Sequence, residues 1–452
     1  MTEIYFCFDT EDFTSPKAWD ACVEEAELLR KYGVRGNFNV VGYLAREWIR
    51  NGRMDVPEAL KHHDVGFHSL RHSYHPTICE YTDLENYEEA KKLLLEYECE
   101  GIGMVKAATG KQSFEFACPP GISTSYVAMY EYARMGIPLY IGSVFEFKDG
   151  RSVHFCNALH TNYDFYIENL FYEDRFFKWR GEKIPYDPKT FLDHIASMKR
   201  VILATHPTRA YHSTFWDLVN YNGENKHPMY EWEPTPLNPP ETTKLFFDEF
   251  ETLIRALQAD GRFEIKHMDQ LAAKVRAQNA ARVIKKSDLA SVRDQLREKF
   301  WQVRLESGTY SISDCFAAAS HFCLSDEPFY PCPVRGFLET PLGASTPVTL
   351  TADEVRRLAA AFRPDAFLPS HYRAGAKGSG PADLLFAMLD VALGADSVSV
   401  IPRPQMPSLE GDYAILYRLN MKGKHWVHRP DFADDFITER LRLQSWTLRD
   451  EA

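Results

Sequence analysis

Through the first 275 or so residues, short apolar runs alternate with amphipathic stretches, and this alternation restricts the fold more than any other feature. The runs lie at 4–8, 36–41, 65–68, 114–117, 139–143, 201–205 and 263–267. Each has the length of a strand. After the first run, Ser15 offers an N-cap, Pro16 a first helical position and Gly33 a stop. Residues 240–260 read as a long amphipathic helix. Strands separated by helices imply parallel βαβ units, so the class is α/β with a barrel-like or doubly wound sheet. In such folds the loops at the C-terminal strand ends share one face, where chemistry collects.

Three of the runs end on residues that can do chemistry. The first runs into Asp9-Thr10-Glu11-Asp12, three carboxylates within four residues. Such a cluster persists at a strand end when a cation neutralises it or one group holds a proton. A solvated acidic turn is the plainer alternative. The third run passes into His68-Ser69-Leu70-Arg71-His72. Two imidazoles four apart can reach one ion from a helical turn or a tight loop. Against this stands a histidine-rich surface loop, since His62, His63 and His75 lie nearby. A run ending at Thr205 meets His206 and then Pro207. At the same face this imidazole can act as a general acid.

These pieces resemble the polysaccharide deacetylases of carbohydrate esterase family 4. That family carries an Asp-rich first motif, a His-Ser/Thr-x-x-His motif, an Arg-x-Pro-x-Gly motif and a late Leu-x-x-His motif. The corresponding stretches here are 8–12, 68–72, 117–121 and 203–206, and 36–42 is similar to the family's second strand. The resemblance covers about residues 1–275. It implies a distorted (β/α) barrel of the polysaccharide deacetylase type, a divalent metal ion of the zinc type, and hydrolysis of an N-acetyl amide. Carried over, Asp9 is the general base, His206 the general acid, and His68 and His72 metal ligands. The acidic ligand is Glu11 or Asp12; strand alternation puts Glu11 on the side of Asp9. Pro119 and Gly121 fall in the substrate-binding motif. Two positions depart from the pattern. Ala117 stands where the family has an arginine that orients the base, so Asp9 must be held otherwise. Pro120 stands where a backbone N–H stabilises the oxyanion, and proline has none. The branch resembled is the intracellular one, peptidoglycan-deacetylase-like or allantoinase-like. The leading expectation is deacetylation of an N-acetylated sugar or glycan. The rivals are hydrolysis of a cyclic amide or imide on the same scaffold, and a catalytically weak glycan-binding protein.

Aromatic stretches flank His206. They include Tyr163, Phe165, Phe177, Trp179, Phe215, Trp216 and Trp232. Aromatic faces suit sugar rings, and Asp217, Asn220 and Asn225 can bind hydroxyls. The alternative is an insertion with its own small core.

The remaining features bound the setting. A net charge of −12 argues against a nucleic-acid partner. Nine cysteines without a CxxC pair, and no leader-like apolar segment at residue 1, point to a reducing, cytoplasmic setting and no disulfide framework. No membrane span is expected. Residues 276–288 read as a basic linker around Lys285 and Lys286, and 289–452 as a mainly α-helical module. Within it, Asp314 and Asp383 recur in similar helical contexts, suggesting two repeats.

Overall fold

The computed structural model describes all residues except 122, 143, 173–174, 180, 221–227, 422–425 and 452. The chain forms two compact units. The first comprises Met1–Ser152, His160–Ala273 and Asn420–Ile437. The second comprises Val153–Leu159, Lys274–Leu419 and Thr438–Ala452.

The first unit is a mixed α/β body built on a curled sheet of parallel strands. Strand β1 (Thr2–Thr10) lies at its centre. On one side follow β2 (Asn37–Val40), β3 (Asp64–Phe67), β4 (Phe116–Ala117) and β5 (Leu139–Ile141). On the other lie Arg200–Thr205 and then Phe165–Tyr166. The strand Phe263–Ile265 pairs with residues 2–4 of β1, below the stretch that β2 takes. The register sets Asp9 beside Asn39, and Asn39 beside Gly66.

Local sequence explains these elements. Helix α1 (Pro16–Lys31) starts where Ser15 accepts the Lys17 N–H and Pro16 supplies a preset φ. Its face of Ala18, Trp19, Ala21, Cys22, Ala26 and Leu29 is buried. Phe8 stacks on Phe38 at 4.3 Å, and Phe6 meets Phe250 edge-on at 5.6 Å, so the interior is aromatic-rich. Two glycines shape the approach to the site. A Cβ at Gly42, the first residue of α2 (Gly42–Arg50), would stand 2.7 Å from the Cα of Gly101 and 2.9 Å from the Leu70 carbonyl. A Cβ at Gly101, in the helix Tyr87–Thr109, would stand 2.7 Å from the Leu70 Cα. Both helices therefore press directly on the turn that carries the histidines. Gly42 and Tyr43 donate their N–H groups to the Ser69 and Leu70 carbonyls at 3.0 and 2.8 Å.

The second unit, expected to be mainly α-helical, also contains short strands. It holds the helix Leu289–Glu298, a hairpin of Val303–Leu305 with Gly308–Tyr310, and the helix Ile312–Phe322. The same order recurs as the helix Ala352–Ala360, a hairpin of Tyr372–Ala374 with Lys377–Ser379, and the helix Pro381–Ala392. Asp314 accepts the Ser311 N–H at 2.9 Å, and Asp383 accepts the Gly380 N–H at 2.8 Å. The recurring aspartates thus do the same work, closing the first turn of the helix that follows each hairpin. Strands of three or four residues are too short for a readable alternation, which is why the sequence shows only their helices. The helix Met268–Ala281 also continues through 276–281, so that part of the expected linker is helical. All nine cysteines are free. Among the described residues no helix is long and apolar enough to cross a membrane.

Candidate functional site

The strand ends of the first unit converge on a cavity of about 640 Å³. Its lining takes Asp9 and Glu11 from the end of β1, His68 and His72 after β3, and Cys118, Pro119 and Gly121 after β4. Gly142 after β5, Tyr166, and His206 after the strand Arg200–Thr205 complete that side.

Glu11, His68 and His72 are all buried, and their ligand atoms lie within 4.8 Å of one another. A Glu11 carboxylate oxygen stands 2.8 Å from His72 Nε2 and 3.4 Å from His68 Nε2. Each imidazole is held from behind. His68 Nδ1 donates to the Cys118 carbonyl at 2.6 Å, which leaves Nε2 as the atom facing the cavity. His72 Nδ1 donates to Ser73 Oγ at 2.9 Å, and that hydroxyl donates to Asp217 at 3.3 Å. The second Glu11 oxygen accepts the Trp216 indole N–H at 3.1 Å. The histidines sit in a tight turn, not a helix. Ser69 and His72 have φ of +67° and +54°, a region non-glycine residues seldom adopt. Burial opposes ionisation of Glu11, but the His72 and His206 imidazoles and hydrogen bonds from His68 and His72 hold its carboxyl well below the usual range. Two imidazoles and one carboxylate, buried and oriented from behind, fit a divalent ion of the zinc type.

Asp12 does not join this group. Its carboxylate accepts from Thr14 N at 2.8 Å, Thr14 Oγ1 at 2.6 Å and Thr208 Oγ1 at 2.7 Å. It ties the loop after β1 to the helix Pro207–Tyr211, with both oxygens occupied. Glu11 is the acidic residue that faces the histidines, because the alternation of β1 carries on one residue beyond the strand.

Asp9 and His206 face each other beside the triad. Asp9 Oδ2 lies 4.0 Å from His68 Nε2 and 3.7 Å from His206 Nε2. The other Asp9 oxygen accepts from Asn39 Nδ2 at 2.9 Å and from the Tyr163 hydroxyl. Asn39 also donates to the Tyr163 oxygen at 2.8 Å. Asn39 and Tyr163 thus hold Asp9 in place; Ala117 is buried at the end of β4. His206 Nδ1 pairs with Glu168 at 2.6 Å. Burial disfavours a charge there, but Glu168, Glu11 and Asp9 outweigh it and push the imidazole up to about 9.

The remaining expected residues divide. Pro119, Gly121 and Asp217 line the cavity. Burial pushes the Asp217 carboxyl up to about 6 against the pull of His72. Trp216 is fully buried and meets the site through Glu11 and through a tilted contact with the His72 ring at 5.4 Å. Asn220 is turned to its own neighbourhood, donating to the Trp216 and Glu233 carbonyls and accepting the Glu233 N–H. Its short helix needs those caps, so it is not free to bind substrate. Asn225 lies outside the described residues. Tyr163 and Phe215 line the cavity, whereas Phe165, Phe177 and Phe191 pack edge-on in a small core of their own. Trp179 stacks on Phe165 and Trp232 on Phe13.

Asn39 and Glu168 were not legible as site residues. Asn37 and Asn39, two polar side chains two apart in a short strand, are the signal that could have found the first. Nothing in the sequence around Glu168 distinguishes it.

No protein-family model and no curated protein matches the chain. Solved structures similar to it include the peptidoglycan deacetylase PdaC from Bacillus subtilis, at 15% identity, covering 65% of this chain and 96% of that one with a TM-score of 0.31. Another is BA3943 from Bacillus anthracis, described as a CE4 family pseudoenzyme, at 15% identity, 60% and 65% coverage and a TM-score of 0.33. A third is 4-alpha-glucanotransferase from Thermococcus litoralis, at 10% identity, 66% and 46% coverage and a TM-score of 0.37. At such levels the likeness says nothing about chemistry, which has to be read from the side chains themselves.

Proposed function

We propose that this chain is a metal-dependent hydrolase of an amide C–N bond, acting on an N-acetylated sugar or glycan. One observation carries the reading: a buried Glu11–His68–His72 triad with Asp9 and a Glu168-paired His206 beside it in one cavity. Glu11, His68 and His72 would hold the ion. When bound, it would supply Lewis acidity to the amide carbonyl and make water a better acid. Asp9, held by Asn39 and Tyr163, would take the proton from the attacking water. His206, charged and oriented by Glu168, would give a proton to the departing amine. Glu168 acts through His206 and is a positioning residue. Gly121, which lines the cavity one residue past Pro120, would be the residue of that motif to offer an N–H to the carbonyl oxygen.

The test is acetate release from N-acetylated chito-oligosaccharides by full-length protein loaded with zinc, with a small cyclic amide assayed in parallel. Acetate release that is lost on chelation and restored by the ion is the expected result. Turnover of the cyclic amide without acetate would replace this reading with the cyclic-amide one. Turnover of neither substrate, with glycan binding intact, would leave a binding protein.

A further inference from the structure

The C-terminal third of the chain returns a segment, Asn420–Ile437, to the first unit. The loop that carries the histidines continues into the residues that anchor it. The Asp83 carboxylate accepts the backbone N–H groups of Asp435, Phe436 and Ile437 at 2.7, 2.8 and 3.1 Å. The Glu80 carboxylate accepts the Arg429 N–H at 2.6 Å, and its other oxygen takes the His75 Nδ1 proton and the Thr77 N–H. Three consecutive amides on one carboxylate form a built attachment, since each charge-assisted bond is stronger than a neutral one. Its consequence is the position of Trp426. The indole stacks on His72 with ring centroids 5.7 Å apart and planes 25° apart, and it lines the cavity.

Trp426 remains 38% exposed. On the other side of the reacting groups, Tyr166 stacks on His206 at 5.7 Å and 10° and is 39% exposed. His72 and His206 thus each have a partly exposed aromatic ring of the cavity wall beside them. The same cavity wall carries Asn162, Asn169, Glu146 and Asp217, which can bond to hydroxyl groups. Aromatic faces with a polar rim suit a pyranose, whose C–H face is apolar and whose edge is hydroxylated.

We propose that Trp426 is the platform of a saccharide subsite beside the reacting amide, so that the returning segment sets which glycans the site accepts. The proposal deepens the hydrolase reading and rests on it for the identity of the reacting group. The experiment uses zinc-loaded full-length protein, with Trp426→Ala and Trp426→Phe, and N-acetylchitotriose as the ligand. Steady-state acetate release, calorimetric affinity and zinc content are measured for each. Loss of an aromatic contact should raise KM and Kd for Trp426→Ala roughly two- to tenfold. Its kcat should stay within about twofold and its zinc content should match the wild type, while Trp426→Phe keeps most of the affinity. Unchanged KM and Kd in Trp426→Ala overturns the proposal. So does loss of zinc in that variant with affinity preserved per zinc-loaded molecule, which would make Trp426 a mere support for His72. If the wild type binds the ligand but releases no acetate, the hydrolase reading fails. Weaker binding by Trp426→Ala then still upholds the platform, and no binding by the wild type overturns it.

Discussion

Removing the Tyr163 hydroxyl tests how Asp9 is held in place. The hydroxyl donates to Asp9 and accepts from Asn39, which itself donates to the same Asp9 oxygen. The three side chains form a closed set in which each available proton has an acceptor. Tyr163→Phe deletes one of two donors to Asp9, the proposed base, and strands one Asn39 proton. A hydrogen bond to a charged group contributes roughly 1.5–3 kcal/mol. At 1.36 kcal/mol per tenfold in rate, kcat should fall by roughly 10- to 150-fold. KM should change little and zinc content not at all, because neither residue touches Glu11, His68 or His72. The same assay on Asn39→Ala and on the double variant completes a cycle. Since both residues act on one oxygen, the two losses should not add, with an interaction energy of roughly 0.5–3 kcal/mol. Additive losses, or a Tyr163→Phe variant with wild-type kcat, would refute the idea that these residues jointly position Asp9. Loss of zinc in Tyr163→Phe would show instead that Tyr163 supports the whole cavity.

Two further outcomes are expected. Glu11→Gln should lose bound zinc by elemental analysis, while Asp12→Asn should retain it and show only reduced thermal stability, since Asp12 is occupied by Thr14 and Thr208; zinc loss in Asp12→Asn would reverse that assignment. His63 gives an acid-sensitive stability term away from the site. It is fully buried, accepts the Gly36 N–H at Nδ1 and donates Nε2–H to the Ala26 carbonyl, and burial lowers its pKa to about 4. As pH falls from about 6.5 to 4 the unfolded chain takes the proton first, so stability drops across that window by roughly 3 kcal/mol. His63→Gln should lose that part of the pH dependence in denaturant titrations at pH 7 and pH 4.5; an unchanged slope would mean His63 is charged or solvated when folded.

The sequence by itself determined the periodicities and the punctuation. Alternating apolar runs made a parallel α/β unit the natural reading of residues 1–275, and the residues that close those runs, Asp9, Glu11, His68 and His206, marked the face where chemistry belongs. Strand alternation set Glu11 on the side of Asp9 and left Asp12 as an alternative, because period-two geometry is local, and the structure brings Glu11 to the histidines. Tertiary structure decided everything that depends on residues far apart in sequence. Asn39 is next to Asp9 only through the β1–β2 register, and Tyr163, 154 positions from Asp9, reaches it only once the sheet has curled. Glu168 meets His206 across 38 positions with no pattern linking them. The short hairpins of the second unit left no alternation to read, and Trp426 arrives from the C-terminal third through Asp83 and Glu80. No local pattern announces that a distant segment will return, because what holds it is the backbone N–H groups it brings and the carboxylates of Asp83 and Glu80 that accept them.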